Sequence, residues 1–99
     1  MATMNSYRSL LLELSNSLTI SDLQELKFLC GDVIPAGSAE RITKGFELFG
    51  ALEQRNMLSE ENRDFLASKL IAIKRIDLRN KLLGIQGKNL LKQVNIFLS

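Results

Sequence analysis

Apolar residues along this chain recur at steps of three and four, the spacing that lays a stripe along one face of an α-helix, and nowhere alternate as a half-buried strand would. Leu10, Leu11, Leu14 and Leu18, with Tyr7 one step before, predict a first helix from about Asn5 to Asn16. Ser21 stands before Asp22-Leu23-Gln24, a Ser-x-x-Gln capping box, and predicts a second helix running to Cys30. Gly31, Pro35 and Gly37 punctuate a loop, after which Ser38 caps a short third helix through about Thr43. Ile42, Phe46, Phe49 and Leu52 continue an apolar stripe through a fourth helix, with Gly45 as the break between the two.

Ser59 followed by Glu60 and Glu61 marks the next start, because acidic side chains suit the positive end of a helix. Phe65, Leu66, Leu70 and Ile73 form the buried face of this fifth helix. A sixth covers Ile76 to Leu83, with Leu78 and Leu82 inward and Gly84 as its stop. Leu90, Leu91, Val94, Phe97 and Leu98 fit helical spacing again, as a seventh amphipathic helix or a frayed linker. With no hairpin dipeptides and no internal repeat, the expected fold is all-α: an antiparallel bundle of six helices over residues 1–83, with residues 84–99 as a C-terminal extension.

Composition narrows the chemistry. At 99 residues, 45% apolar and 24% charged, the chain suits one globular core. It contains no histidine, which removes Cys-His and Ser-His arrangements and the ordinary zinc sites. No catalytic residues, metal ligands or cofactor are expected. Cys30, the single cysteine, lies in an apolar run and reads as a reduced core thiol of a cytosolic or nuclear protein, with a cytoplasmic location expected. No apolar run approaches the ~18 residues of a membrane span, and no leader sequence is apparent. Charge is uneven: residues 1–73 hold seven Lys or Arg against ten Asp or Glu, residues 74–99 six against one. That basic end raises nucleic-acid or anionic-membrane binding, but its sole aromatic, Phe97, belongs to an apolar stripe and no nucleic-acid motif accompanies it, so neither is expected.

Two residues do not fit a simple amphipathic reading. On a helical wheel Leu23, Leu26 and Cys30 share one arc, with Leu29 at its edge, while Phe28 points about 160° away beside Gln24 and Glu25. An aromatic ring left in water forgoes roughly 2 kcal/mol of burial, so Phe28 either anchors a partner or is covered by a neighbouring segment. Asp22 falls instead near the edge of the buried arc, where a carboxylate needs a counter-charge. Arg75, in Lys74-Arg75-Ile76-Asp77-Leu78, is suited to bridge Asp22 and Asp77; the alternative is three ordinary solvated charges.

With the six-helix pattern, the stretches DLQELKFLC (22–30), FELFGALEQRNML (46–58) and RIDL (75–78) make residues 5–83 resemble a death effector domain. The resemblance implies the six-helix death fold and a charge triad of Asp22, Arg75 and Asp77, the last two in the family's Arg-x-Asp-Leu motif. It further implies a Phe28-Leu29 patch on helix two that docks between helices one and four of the next domain. Tyr7 is a looser match to an aromatic near that receiving groove. LKFLC looks most like the adaptor branch, which couples death receptors to initiator caspases; DVIP and RNML look like the first effector domain of the caspases themselves. A small single-domain phosphoprotein shares the IP loop. The implied function is a non-enzymatic, self-associating adaptor module in apoptosis signalling. Its implied partners are other effector-domain proteins: initiator caspases, adaptors and caspase-like inhibitors.

Overall fold

Six α-helices, and no strand, make up the regular structure of residues 6–84, the part described by the computed structural model. They are α1 (Ser6–Ser17), α2 (Ile20–Leu29), α3 (Ala36–Glu40), α4 (Gly45–Gln54), α5 (Asp64–Ala72) and α6 (Ile76–Leu83). The expected seventh helix lies outside the described residues.

Helix α1 packs on α4 and α6, and α5 packs on α6 and α2. The stripes read from the sequence meet in one core: Leu11 and Leu14 from α1, Leu23 and Leu26 from α2, Leu48, Phe49 and Leu52 from α4. Leu66 and Leu70 from α5 and Leu78 and Leu82 from α6 close it. No polar or charged residue is buried among the described ones, so the core is held by apolar packing alone.

Several boundaries differ from the sequence reading, each for a local reason. The cap of α2 is Thr19, not Ser21: Thr19 Oγ1 accepts the Asp22 amide at 2.9 Å, and Asp22 Oδ2 accepts the Thr19 amide at 3.0 Å. A Thr-x-x-Asp box two residues earlier thus outcompetes the Ser-x-x-Gln box, because the same Asp22 Oδ2 also accepts from Arg75. Helix α3 begins directly after Pro35, whose fixed φ suits a helix entry, and ends at Glu40. Ile42 is buried from the loop between α3 and α4 rather than from a helix.

Gly45 opens α4 instead of separating two helices, and a Cβ there would lie 2.8 Å from Leu18 Cδ1 and 3.0 Å from Ser15 Cα. The missing side chain is what lets α4 start against α1, and Ser15 Oγ then accepts the Phe46 amide at 2.9 Å. Ser59 does not start α5. Its carbonyl and hydroxyl both accept the Asn62 amide, closing a local turn, and Asp64 supplies the first-turn carboxylate. Gly84 ends α6 at φ 75°, the left-handed conformation expected of it.

Candidate functional site

The charged cluster assembles where three helix ends converge. Arg75, just before α6, places Nη1 2.5 Å from Asp22 Oδ2 in the first turn of α2. It holds Asp77 through two parallel bonds, Nε to Oδ1 at 3.1 Å and Nη2 to Oδ2 at 2.9 Å. Nη1 also donates to the Ser17 carbonyl at 3.1 Å, which ties down the last turn of α1. One guanidinium therefore joins α1, α2 and α6, and its planar fork of donors explains why lysine would not serve. The Arg75 and Asp22 side chains are largely shielded, at 23% and 14% exposure, whereas Asp77 is open at 64%.

Burial pushes the Asp22 carboxyl up, but the bonds from Thr19 and Arg75 outweigh it and hold the group below its ordinary range. The Arg75 bonds, against a smaller burial effect, keep Asp77 low as well. Arg75 is raised, chiefly by its bonds to Asp77.

Phe28 lies on the face of α2 opposite Leu23 and Leu26 and is 83% exposed. No segment among the described residues covers it. It forms the ridge between two open depressions, the first of mixed polarity and the second mainly apolar. One, of about 560 Å³, runs between α2 and the end of α5 and includes Glu25, Leu29, Ala72, Ile73 and Lys74. The other, of about 420 Å³, lies toward α3 and is floored by Gly31, Ile34, Ala36 and Ala39. Leu29 is half-buried: it joins Phe28 along the first depression while packing against the core. Lys27, between Glu25 and Phe28 in the chain, donates to the Ile42 carbonyl at 2.7 Å and so ties α2 to the following loop.

A third depression lies on a different face, between α1 and α4, lined by Leu11, Leu12, Phe46, Phe49 and Gly50, with Arg8 and Glu53 at its polar edge. At about 200 Å³ it matches a single side chain, not a drug-sized ligand, whose pockets start near 300 Å³. Phe46, expected in the core stripe, is instead 44% exposed and forms part of this groove. Tyr7 does not line the groove but neighbours its rim residues Glu53 and Arg8. Its ring lies 5.1 Å beneath the Arg63 guanidinium, and burial together with neighbouring Glu53 pushes its phenol up to about 12. Arg63 also donates to the Leu82 carbonyl at 2.6 Å, linking Tyr7 to the end of α6.

The Arg8–Glu53 rim, Leu12 and Ile20 were missed by the sequence reading. Leu12 carried the same signal as Phe28, an apolar residue off its helix's stripe, and is exposed. Ile20, 81% exposed, was hidden by the misplaced cap.

The remaining chemistry is sparse. Burial pushes the Cys30 thiol up to about 11, which leaves it protonated and unreactive at neutral pH. Among the described residues no three His, Cys, Asp or Glu side chains gather as a metal site, and no helix is long and apolar enough to cross a membrane. In the described part of the basic stretch Arg75 is fully engaged and Lys81 lies 3.7 Å from Glu13.

A sequence model of the death effector domain matches residues 7–95. The chain belongs to the death effector domain family. Human astrocytic phosphoprotein PEA-15 is 38% identical over 63 residues, 64% of this chain and 48% of the relative. Mouse FAS-associated death domain protein is 37% identical over 79 residues, 80% of this chain and 38% of the relative. Rat caspase-8 is 32% identical over 90 residues, 91% of this chain and 19% of the relative. The chain thus spans half or less of each relative's length. The six-helix architecture agrees with the death-fold bundle of this family of protein-interaction modules.

Proposed function

We propose that this chain is a non-enzymatic module that binds other death effector domains, and copies of itself, by seating Phe28 of one domain in the α1/α4 groove of the next. The observation that carries this reading is the 83% exposure of Phe28 on a domain whose α1/α4 face holds an apolar groove of one side chain's size. Knob and groove lie on different faces, so the contact is head-to-tail and need not close. Leu29 supports the knob from beneath and Tyr7 buttresses the groove's rim. Asp22, Arg75 and Asp77 orient α2, and hence Phe28, relative to α1 and α6.

In the cell this amounts to an adaptor role, bringing initiator caspases together in the cytoplasm downstream of a death receptor; the likeness to FAS-associated death domain protein favours it. A second reading, the first effector domain of a caspase or caspase-like inhibitor, draws on the 91% of this chain aligned with caspase-8. Both readings use the same contact. Light scattering of wild type beside Phe28→Ala tests it: the variant should stay monomeric with an unchanged melting temperature. Equal oligomerisation and equal binding of a caspase-8 effector domain by the two proteins would reject Phe28 as the anchor.

A further inference from the structure

Each rim carries one charged side chain with pairing capacity to spare, Arg8 beside the groove and Glu25 beside the knob. Arg8 is 67% exposed at the groove's edge and uses Nη1 alone to reach both Glu53 oxygens, at 3.0 and 3.2 Å, which leaves Nε and Nη2 without a partner among the described residues. On the knob, Glu25 is exposed one turn before Phe28 and forms no hydrogen bond or ion pair among the described residues. Residues three apart on a helix are surface neighbours, so a carboxylate accompanies the ring wherever it docks. Lys27, two positions on and so on a different face of α2, is occupied by the Ile42 carbonyl, and Lys74 lines the same depression as Glu25.

We propose that Arg8 selects the knob that enters the groove: its free guanidinium edge pairs with Glu25 of a second copy, so the groove accepts an aromatic knob preceded one turn earlier by a carboxylate and refuses one preceded by a cation. This rests on the docking mode above and adds partner choice to it. An exposed pair contributes little to affinity, whereas like charges forced together at an interface rim are strongly unfavourable and slow the encounter, so the pair acts chiefly by exclusion.

A charge-exchange experiment on the full chain tests the pairing. Glu25→Arg and Arg8→Glu should each weaken self-association at least tenfold in sedimentation at low salt. An equimolar mixture of the two should assemble again, because in an alternating array every junction is then complementary. Glu25→Gln, which removes no contact within the fold, should retain assembly but lose most of its salt dependence. Circular dichroism reports whether Arg8→Glu, placed beside Glu53, stays folded; if it does not, the Glu25→Arg and Glu25→Gln results decide. No recovery on mixing two folded variants, or wild-type association by Glu25→Arg, overturns the pairing. In either event Phe28→Ala separates the two ideas: loss of assembly there leaves the docking mode standing without its charge filter, and full assembly removes both.

Discussion

At the scale of single residues, Phe28 and Arg75 represent opposite solutions to a mismatch between side chain and surroundings. Phe28 is apolar and meets water, and nothing within the described domain compensates it; the proposed docking mode would do so from a second domain. Arg75 and Asp22 are charged and shielded, and each is compensated within the fold. Replacing Arg75 by alanine leaves the Asp22 carboxylate shielded without its cation and frees the Ser17 carbonyl. A loss of roughly 1–3 kcal/mol is expected in urea unfolding. Glu13→Ala, which removes only the open 3.7 Å pair with Lys81, should cost no more than about 0.5 kcal/mol. Both mismatches were legible in the sequence as residues on the wrong arc of a wheel. The Ser17 contact was not, because a backbone carbonyl has no sequence signature and its partner lies 58 positions away.

At the scale of elements, α4 carries two glycines with opposite prospects. A Cβ at Gly45 meets the Ser15 backbone and the Leu18 side chain, and only the latter can move aside. Gly45→Ala should therefore destabilise the domain by about 1–3 kcal/mol by prising α4 from α1. A Cβ at Gly50 meets nothing within 4 Å, so Gly50→Ala should raise the melting temperature, helix propensity contributing about 0.5–1 kcal/mol. Thermal melts of the two variants read the difference in sign directly. The existence and number of the helices were legible because their apolar stripes are long and regular. Their starts were less so: Thr19 and Ser21 are both good capping residues, as are the groups near Ser59, and the choice fell to Arg75 and to the local turn at Asn62.

At the scale of the molecule, the charged groups predict how stability follows pH. Asp22 and Asp77 have carboxyls held below their ordinary values, so the folded state binds fewer protons than the unfolded state in acid. Their contribution is complete above the unfolded carboxyl range and is lost as pH falls from about 4 through the folded values. The Cys30 thiol, pushed up to about 11, has the opposite sign: its contribution is complete below about pH 9 and is lost as pH rises toward 11. With no histidine in the chain, little should change between. Urea midpoints measured from pH 2.5 to 10.5 should trace a plateau from about 5 to 8.5, and Arg75→Ala should flatten the acid limb. A midpoint that moved sharply between pH 6 and 7 would contradict this account.

Helix content, most of the core and the oddity of Phe28 and Asp22 follow from the sequence by itself, because side-chain direction repeats every 3.6 residues whatever the helices pack against. The α1/α4 groove, the joining of three helix ends by Arg75 and the Arg8–Glu53 rim were decided only by tertiary structure. Each depends on the distance and tilt between helices far apart in the chain, and those are set by close contacts such as Gly45 against Ser15 that a one-dimensional pattern does not encode.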